Sequence, residues 1–160
     1  MNKQSELRQL ELIREIINKL DELKRGISED KPIQDHVKLV LWVDGGLHGP
    51  NPGSPLYGSY AFGDVIETVE FGRNGSNNES EYLALIAGLD AVAKVYDPAI
   101  VGLTVKTDSD LARLQIMGEW RIKAEHLRPL CHRAQTLLSR FGSWEIKHEP
   151  REIVVQILGH

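Results

Sequence analysis

Near the start of the chain Leu7, Leu10, Ile13, Ile17 and Leu20 recur at spacings of three and four residues, with charges between them. That helical period predicts an amphipathic helix over residues 4–25, ended by Gly26. The segment 27–34, with Pro32, reads as a linker. From residue 37 the pattern changes. The apolar run from Val37 to Val43 predicts a buried strand over 37–44. The proline-rich stretch from Gly49 to Pro55 reads as a loop, because prolines deny backbone donors. Two more strands are expected over 57–64 and 65–72, the second alternating in polarity, followed by a turn-rich loop from Gly72 to Asn78. Tyr82, Leu85, Ile86, Leu89 and Ala93 mark one face of a helix over 79–95. A strand over 100–107 and a short helix over 109–117 follow. A longer helix is expected over 124–141, with Leu127, Leu130, Cys131, Ala134, Leu137, Leu138 and Phe141 on its apolar face. A strand over 143–148 and a helix over 151–158 complete the pattern. Three strands, then helix, strand, helices, strand and helix predict an α/β fold. Its opening meander is antiparallel, and later crossovers add parallel strands.

Within 160 residues this pattern divides into a helix and linker over 1–35 and one α/β domain over 36–160. Hydrophobic content of 41% and charged content of 26% are those of an ordinary globular protein. No apolar run approaches the roughly 18 residues of a membrane-spanning helix, and the charged N-terminus lacks an apolar signal segment. The single cysteine, Cys131, cannot form an internal disulfide and falls on a helical apolar stripe, so it reads as core. A reducing, cytoplasmic setting is expected. The net charge of −4 argues mildly against a nucleic-acid partner. Against that, Arg121, Lys123, Arg128, Arg133 and Arg140 face one acid, Glu125, within residues 121–140. This segment is either a local basic face or a solvated helix surface.

Three acids stand at junctions of this pattern. Asp44 ends the first strand before Gly45-Gly46, Glu81 opens the helix after Asn77-Asn78, and Asp108 ends the 100–107 strand. Two strand ends and a helix start can bring three carboxylates to one point. Clustered carboxylates repel one another and rarely persist without a cation, and hard oxygen donors suit Mg²⁺ or Mn²⁺. Each acid also has a local explanation. Asp44 can end a strand at a turn, Glu81 can belong to a capping box with Asn78 as N-cap, and Asp108 can cap the following helix.

The ordered set Asp44-Gly45-Gly46, Asn51-Pro52-Gly53, Asn77-Asn78 with Glu81-Tyr82, Thr107-Asp108-Ser109, Gly118-Glu119-Trp120 with Lys123, and His148 with Pro150-Arg151-Glu152 resembles the type 1 ribonuclease H family. The resemblance covers residues 37 to about 152. It implies a ribonuclease-H-like fold: a mixed five-stranded sheet, three antiparallel strands plus parallel crossovers, flanked by helices. It implies hydrolysis of the RNA strand of RNA–DNA hybrids with two Mg²⁺ or Mn²⁺ ions. Asp44 would be the bridging ligand, flanked by Glu81 and Asp108. Asn78 falls where the family meets the RNA minor groove and its 2′-hydroxyls. Gly45, Gly46 and Asn51 fall where the first loop approaches the RNA strand. Trp120 and Lys123, with Arg121, match a segment beside the DNA strand.

The chain departs from the family at two positions. Asp110 stands where Gln is common, and the acid expected on the last helix falls at about Leu158. Glu152 and His160 are the remaining candidates for that ligand. His160 is the reading adopted, since Gly159 can turn the imidazole back toward the site; the alternative is a plain C-terminal tail. The loop from Gly45 to Gly53 lacks the Lys-Ser/Thr ending of a nucleotide P-loop, and His126 and His132 read as surface residues. The rival readings are a catalytically inactive ribonuclease-H-like nucleic-acid-binding module and a nuclease of the same fold acting on another substrate, such as double-stranded RNA. The N-terminal helix, outside the resemblance, is expected to pair with another copy or dock on its own domain, because its aliphatic stripe favours burial.

Overall fold

A computed structural model of the chain describes residues 2–26 and 37–159. The chain falls into two units, Met1–Gln34 and Asp35–His160. In the first unit, helix α1 spans Lys3–Gly26. Its start is closed by the Asn2 side chain, which accepts a hydrogen bond from the Ser5 amide at 2.9 Å. The expected linker lies outside the described residues.

The second unit runs β1 (Val37–Leu47), β2 (Ser54–Phe62), β3 (Val65–Gly75), α2 (Asn77–Val95), β4 (Val101–Thr107), α3 (Asp110–Ile116), α4 (Arg128–Leu138), β5 (Ser143–His148) and α5 (Arg151–Leu158). Its five strands form one sheet in the order β3-β2-β1-β4-β5. The β1–β2 and β2–β3 pairs are antiparallel, and the β1–β4 and β4–β5 pairs are parallel. The expected mixed sheet of antiparallel meander and parallel crossovers is the one observed.

Element ends differ from the sequence pattern for identifiable reasons. Strand β2 begins at Ser54, so Pro55 lies in a strand where a loop was expected. Pro55 has no N–H to donate, but its carbonyl accepts the His48 amide at 2.9 Å, and the β2–β3 register shifts just beyond it. Strand β3 continues to Gly75 because Ser54 and Pro55 supply partners as far as Gly75 and Asn74. The helix expected over 124–141 is shorter. A 3₁₀ turn spans Glu125–Leu127, and Pro129 then stands in the first turn of α4.

One face of the sheet carries the core. Leu39, Leu41 and Val43 of β1 meet Leu103 and Val105 of β4, Leu85 and Leu89 of α2, and Cys131, Ala134 and Leu138 of α4. Helix α2 is buried round much of its circumference, Gly88 and Val92 included, because sheet and α4 enclose it. Cys131 is free and buried, in the core as its stripe indicated. On the other sheet face Trp42 and Ala61 pack with Val154 and Leu158, so α5 is anchored there by two aliphatic side chains.

Candidate active site

The parallel pairing of β1 with β4 sets the site. Val37 stands beside Val101 and Trp42 beside Lys106. Carried two residues further, the same register brings Asp44 level with Asp108 as both strands reach one end of the sheet. Residues 42 and 44 share a strand face, so Asp44 points to the side that α5 covers. Glu81 arrives from the opening turns of α2. Its helix comes close enough that a Cβ at Gly45 would collide with the backbone of Ser80 and Glu81. A glycine here therefore permits the approach. The Gly45 amide then donates to Glu81 Oε2 at 3.2 Å, tying strand to helix.

One carboxylate oxygen from each of Asp44, Glu81 and Asp108 lies within 4.8 Å of the others. Asp44 and Glu81 are buried at 3% and 6% exposure. Burial, then the Asp108 charge, pushes the Asp44 carboxyl up from 3.8 to about 6, against the pull of Arg151 and the Gly45 amide. Burial first, and then the charges of Asp44 and Asp108, hold Glu81 well above the ordinary range for a glutamate. The Asp108 Oδ1 atom is buried without a hydrogen-bond partner among the described residues. A buried acceptor of this kind and a ring of hard oxygen donors fit a divalent cation such as Mg²⁺ or Mn²⁺.

None of the three local explanations for the acids holds as first read: β1 runs on past Asp44 to Leu47. The N-cap of α2 is Ser76, not Asn78. Its hydroxyl accepts the Glu79 amide at 3.3 Å, and Glu79 reaches back to the Ser76 amide at 3.1 Å. Ser109, not Asp108, caps α3. Glu81 and Asp108 are therefore left facing Asp44.

The last helix brings a cation to this point. Arg151 Nη1 donates to Asp108 Oδ2 at 3.1 Å and lies 4.0 Å from Asp44 Oδ1. The sequence reading gave Arg151 no role. Its signals were its place in the Pro150-Arg151-Glu152 motif and at the start of the helix expected to complete the site. Leu158, where the fourth acid was expected, is 4% exposed and packs with Val154 and Ala61. Gly159 does take the left-handed conformation, with φ 77°, as the C-cap of α5. His160 lies outside the described residues. Glu152 is exposed and is not among the clustered ligands.

The remaining expected contact residues take two places. Asn51 accepts the Asn77 amide through Oδ1 at 3.0 Å, holding the first loop against the start of α2. A Cβ at Gly46 would collide with the Tyr57 ring. Asn78, Trp120, Arg121 and Lys123 line one cleft of about 600 Å³, with Gln115 on its wall. Trp120 is 50% exposed. Asp110 is engaged by Arg113 of its own helix at 2.9 Å. His126 is exposed, 3.6 Å from Glu79, and His132 is exposed. No helix among the described residues is long and apolar enough to cross a membrane.

A mixed sheet whose central parallel strands end in facing aspartates, completed by a glutamate from the following helix, defines a ribonuclease-H-like domain. A family model described as reverse transcriptase-like matches residues 62–156, and the chain belongs to that ribonuclease-H-like family. Ribonuclease HI of Halobacterium salinarum is 36% identical over 118 residues, 71% of this chain and 57% of that protein. The chain thus spans little more than half the length of this relative. The N-terminal RNase H domain of Rv2228c from Mycobacterium tuberculosis, solved as a fusion with maltose binding protein, superposes with a TM-score of 0.66 at 32% identity. The match covers 75% of this chain and 87% of that one. The structure of LC11-RNase H1 in complex with RNA/DNA hybrid has a TM-score of 0.66 over 74% of this chain and 89% of that one; at 23% identity it shows the fold alone.

The raised carboxyl of Asp44 has a stability consequence. The folded chain keeps a proton there until about pH 6, whereas the unfolded chain releases it near 3.8. Stability without metal therefore falls as pH climbs through that window and levels above it. Asp44→Asn, which carries no charge, should be more stable than wild type at neutral pH in EDTA by about 1–3 kcal/mol. It should lose that advantage below pH 3.8. Urea unfolding at the two pH values reads both. Adding Mg²⁺ or Mn²⁺ at neutral pH should stabilise wild type more than the variant.

Proposed function

We propose that the chain is a metal-dependent endonuclease that hydrolyses the RNA strand of RNA–DNA hybrids. The observation that carries this reading is the convergence of Asp44, Glu81 and Asp108 to within 4.8 Å at the end of the central strands of a ribonuclease-H-like sheet. Mg²⁺ or Mn²⁺ held by these acids, two ions with substrate present, would supply activated water and charge neutralisation at the scissile phosphate.

The protein's own groups prepare that chemistry. Asp44 is the proposed bridging ligand, and the Gly45 amide donates to Glu81 beside it. Arg151 balances part of the acidic charge through Asp108. Beside the triad, Asn78, Trp120 and Lys123 share a cleft wall. Asn78 is the proposed reader of the RNA 2′-hydroxyls, which distinguish RNA from DNA. Lys123 is the proposed phosphate contact and Trp120 the proposed packing surface for the DNA strand. Gly45, Gly46 and Asn51 shape the loop proposed to approach the RNA. His160 is the proposed fourth ligand, since Leu158 is buried in an apolar cluster.

A second reading, an inactive hybrid-binding module, is favoured by one observation: an arginine reaches the triad from the same helix that lacks the expected acid. Matched RNA–DNA, RNA–RNA and DNA–DNA duplexes, each with Mg²⁺, Mn²⁺ or EDTA, separate the readings. Cleavage of the RNA strand of the hybrid is expected with either metal and not with EDTA, and Asp44→Asn should abolish it while the protein stays folded. Binding without cleavage would establish the inactive module.

Asn78→Ala should weaken hybrid binding by about 1–3 kcal/mol, the loss of one or two hydrogen bonds. Titration of an uncleavable hybrid measures this directly, and unchanged affinity would remove Asn78 from the RNA contact.

His160→Ala should lower the rate and weaken metal activation, and His160→Asp should improve the performance of Mg²⁺ relative to Mn²⁺, because a carboxylate is the harder ligand. Metal titrations of the cleavage rate decide. An unaltered metal response would make His160 a tail.

A further inference from the structure

We infer that α1 pairs with α1 of a second copy of this chain, and that the two helices run antiparallel. The first observation is a continuous apolar stripe on an exposed helix. Leu10, Ile13, Ile17 and Leu20 lie at alternating spacings of three and four residues, and each is at least half exposed. Ile16 and Leu23, at 59% and 65% exposure, flank the same stripe. Such a seam takes a facing helix of the same kind.

Charge placement selects the partner and its direction. Glu6 and Lys24 occupy the next positions of the same seam, at its two ends. In an antiparallel pair each Glu6 meets the Lys24 of the other copy. Leu10 then faces Leu20, Ile13 faces Ile17, and the two Ile16 side chains meet near the dyad. In a parallel pair Glu6 would face Glu6 and Lys24 would face Lys24, a like-charge contact at both ends. Arg14 approaches its own copy on the other flank, which limits the pair to moderate affinity.

The rest of the helix disfavours other occupants. Its polar face mixes Arg8, Glu11, Arg14, Glu15, Lys19, Asp21 and Glu22, so it presents neither the basic face that anionic membranes and nucleic acids attract nor an acidic one. The helix carries no aromatic side chain of the sort that anchors at a membrane interface. Paired this way, one particle carries two copies of the second unit and so offers a duplex two clefts. That consequence rests on the nuclease reading, whereas the pairing does not.

Sedimentation equilibrium of the full chain over a range of concentrations tests the inference without any cleavage readout. The expected mass rises from the 18.0 kDa monomer to twice that value. Ile13→Glu with Ile17→Glu should leave a monomer whose second unit melts as in wild type. Glu6→Lys alone and Lys24→Glu alone should each weaken the dimer by about tenfold through like-charge contacts, and the two together should restore it. A monomer at every concentration would overturn the pairing, whether the helix binds anionic vesicles or is protected from hydrogen exchange on its own chain. A dimer indifferent to both single charge changes would overturn the antiparallel arrangement.

Discussion

The second unit depends on one parallel register. Because β1 and β4 run side by side with Trp42 opposite Lys106, the aspartates two residues further on, Asp44 and Asp108, reach the same level. Backbone hydrogen bonding makes this alignment rigid: a slip of one residue would turn every side chain of β1 to the other face and expose Leu39, Leu41 and Val43. The apolar cost of that slip therefore protects the carboxylate geometry, though no carboxylate takes part in it.

Helix α2 adds the third acid under a steric condition. The core pulls α2 onto the sheet through Tyr82, Leu85 and Leu89, and its N-terminal end can close on β1 only where the strand has no side chain. Gly45 meets that condition and uses its amide to hold Glu81. The result is a buried cluster of like charges that folding alone would not favour. Raised carboxyl pKa values and the Arg151 guanidinium are the two ways in which the chain relieves it. A divalent cation relieves it more fully, because it places opposite charge among the oxygens themselves. Helix α5 links both parts of the arrangement. Val154 and Leu158 anchor it to the sheet, and that anchorage carries Arg151 to Asp108.

Much of this was legible along the chain. Apolar runs long enough to be buried strands end at Asp44 and Asp108, and a three-four period opens at Glu81. These patterns are local and survive without knowledge of the fold. The ordered motifs added the family; that Asn78, Trp120 and Lys123 line one cleft came from the fold. Boundaries were less legible. Ser76 and Asn78 are both good N-caps, and the choice was settled by the reach of Glu79 and by Asn51 meeting the Asn77 amide across the loop. Pro55 lies in a strand because β3 extends to meet it.

By itself, the sequence determined which residues could be buried, which segments are strands and which helices, and which three acids stand near their junctions, because those properties follow from periodicity and local backbone chemistry. Only the tertiary structure decided that Asp44 and Asp108 stand level, that Gly45 admits α2, that Leu158 is spent in the core, and that Arg151 faces the triad. Each of these depends on contacts between residues far apart in the chain, and those contacts are set by sheet register and helix docking, which no local pattern encodes.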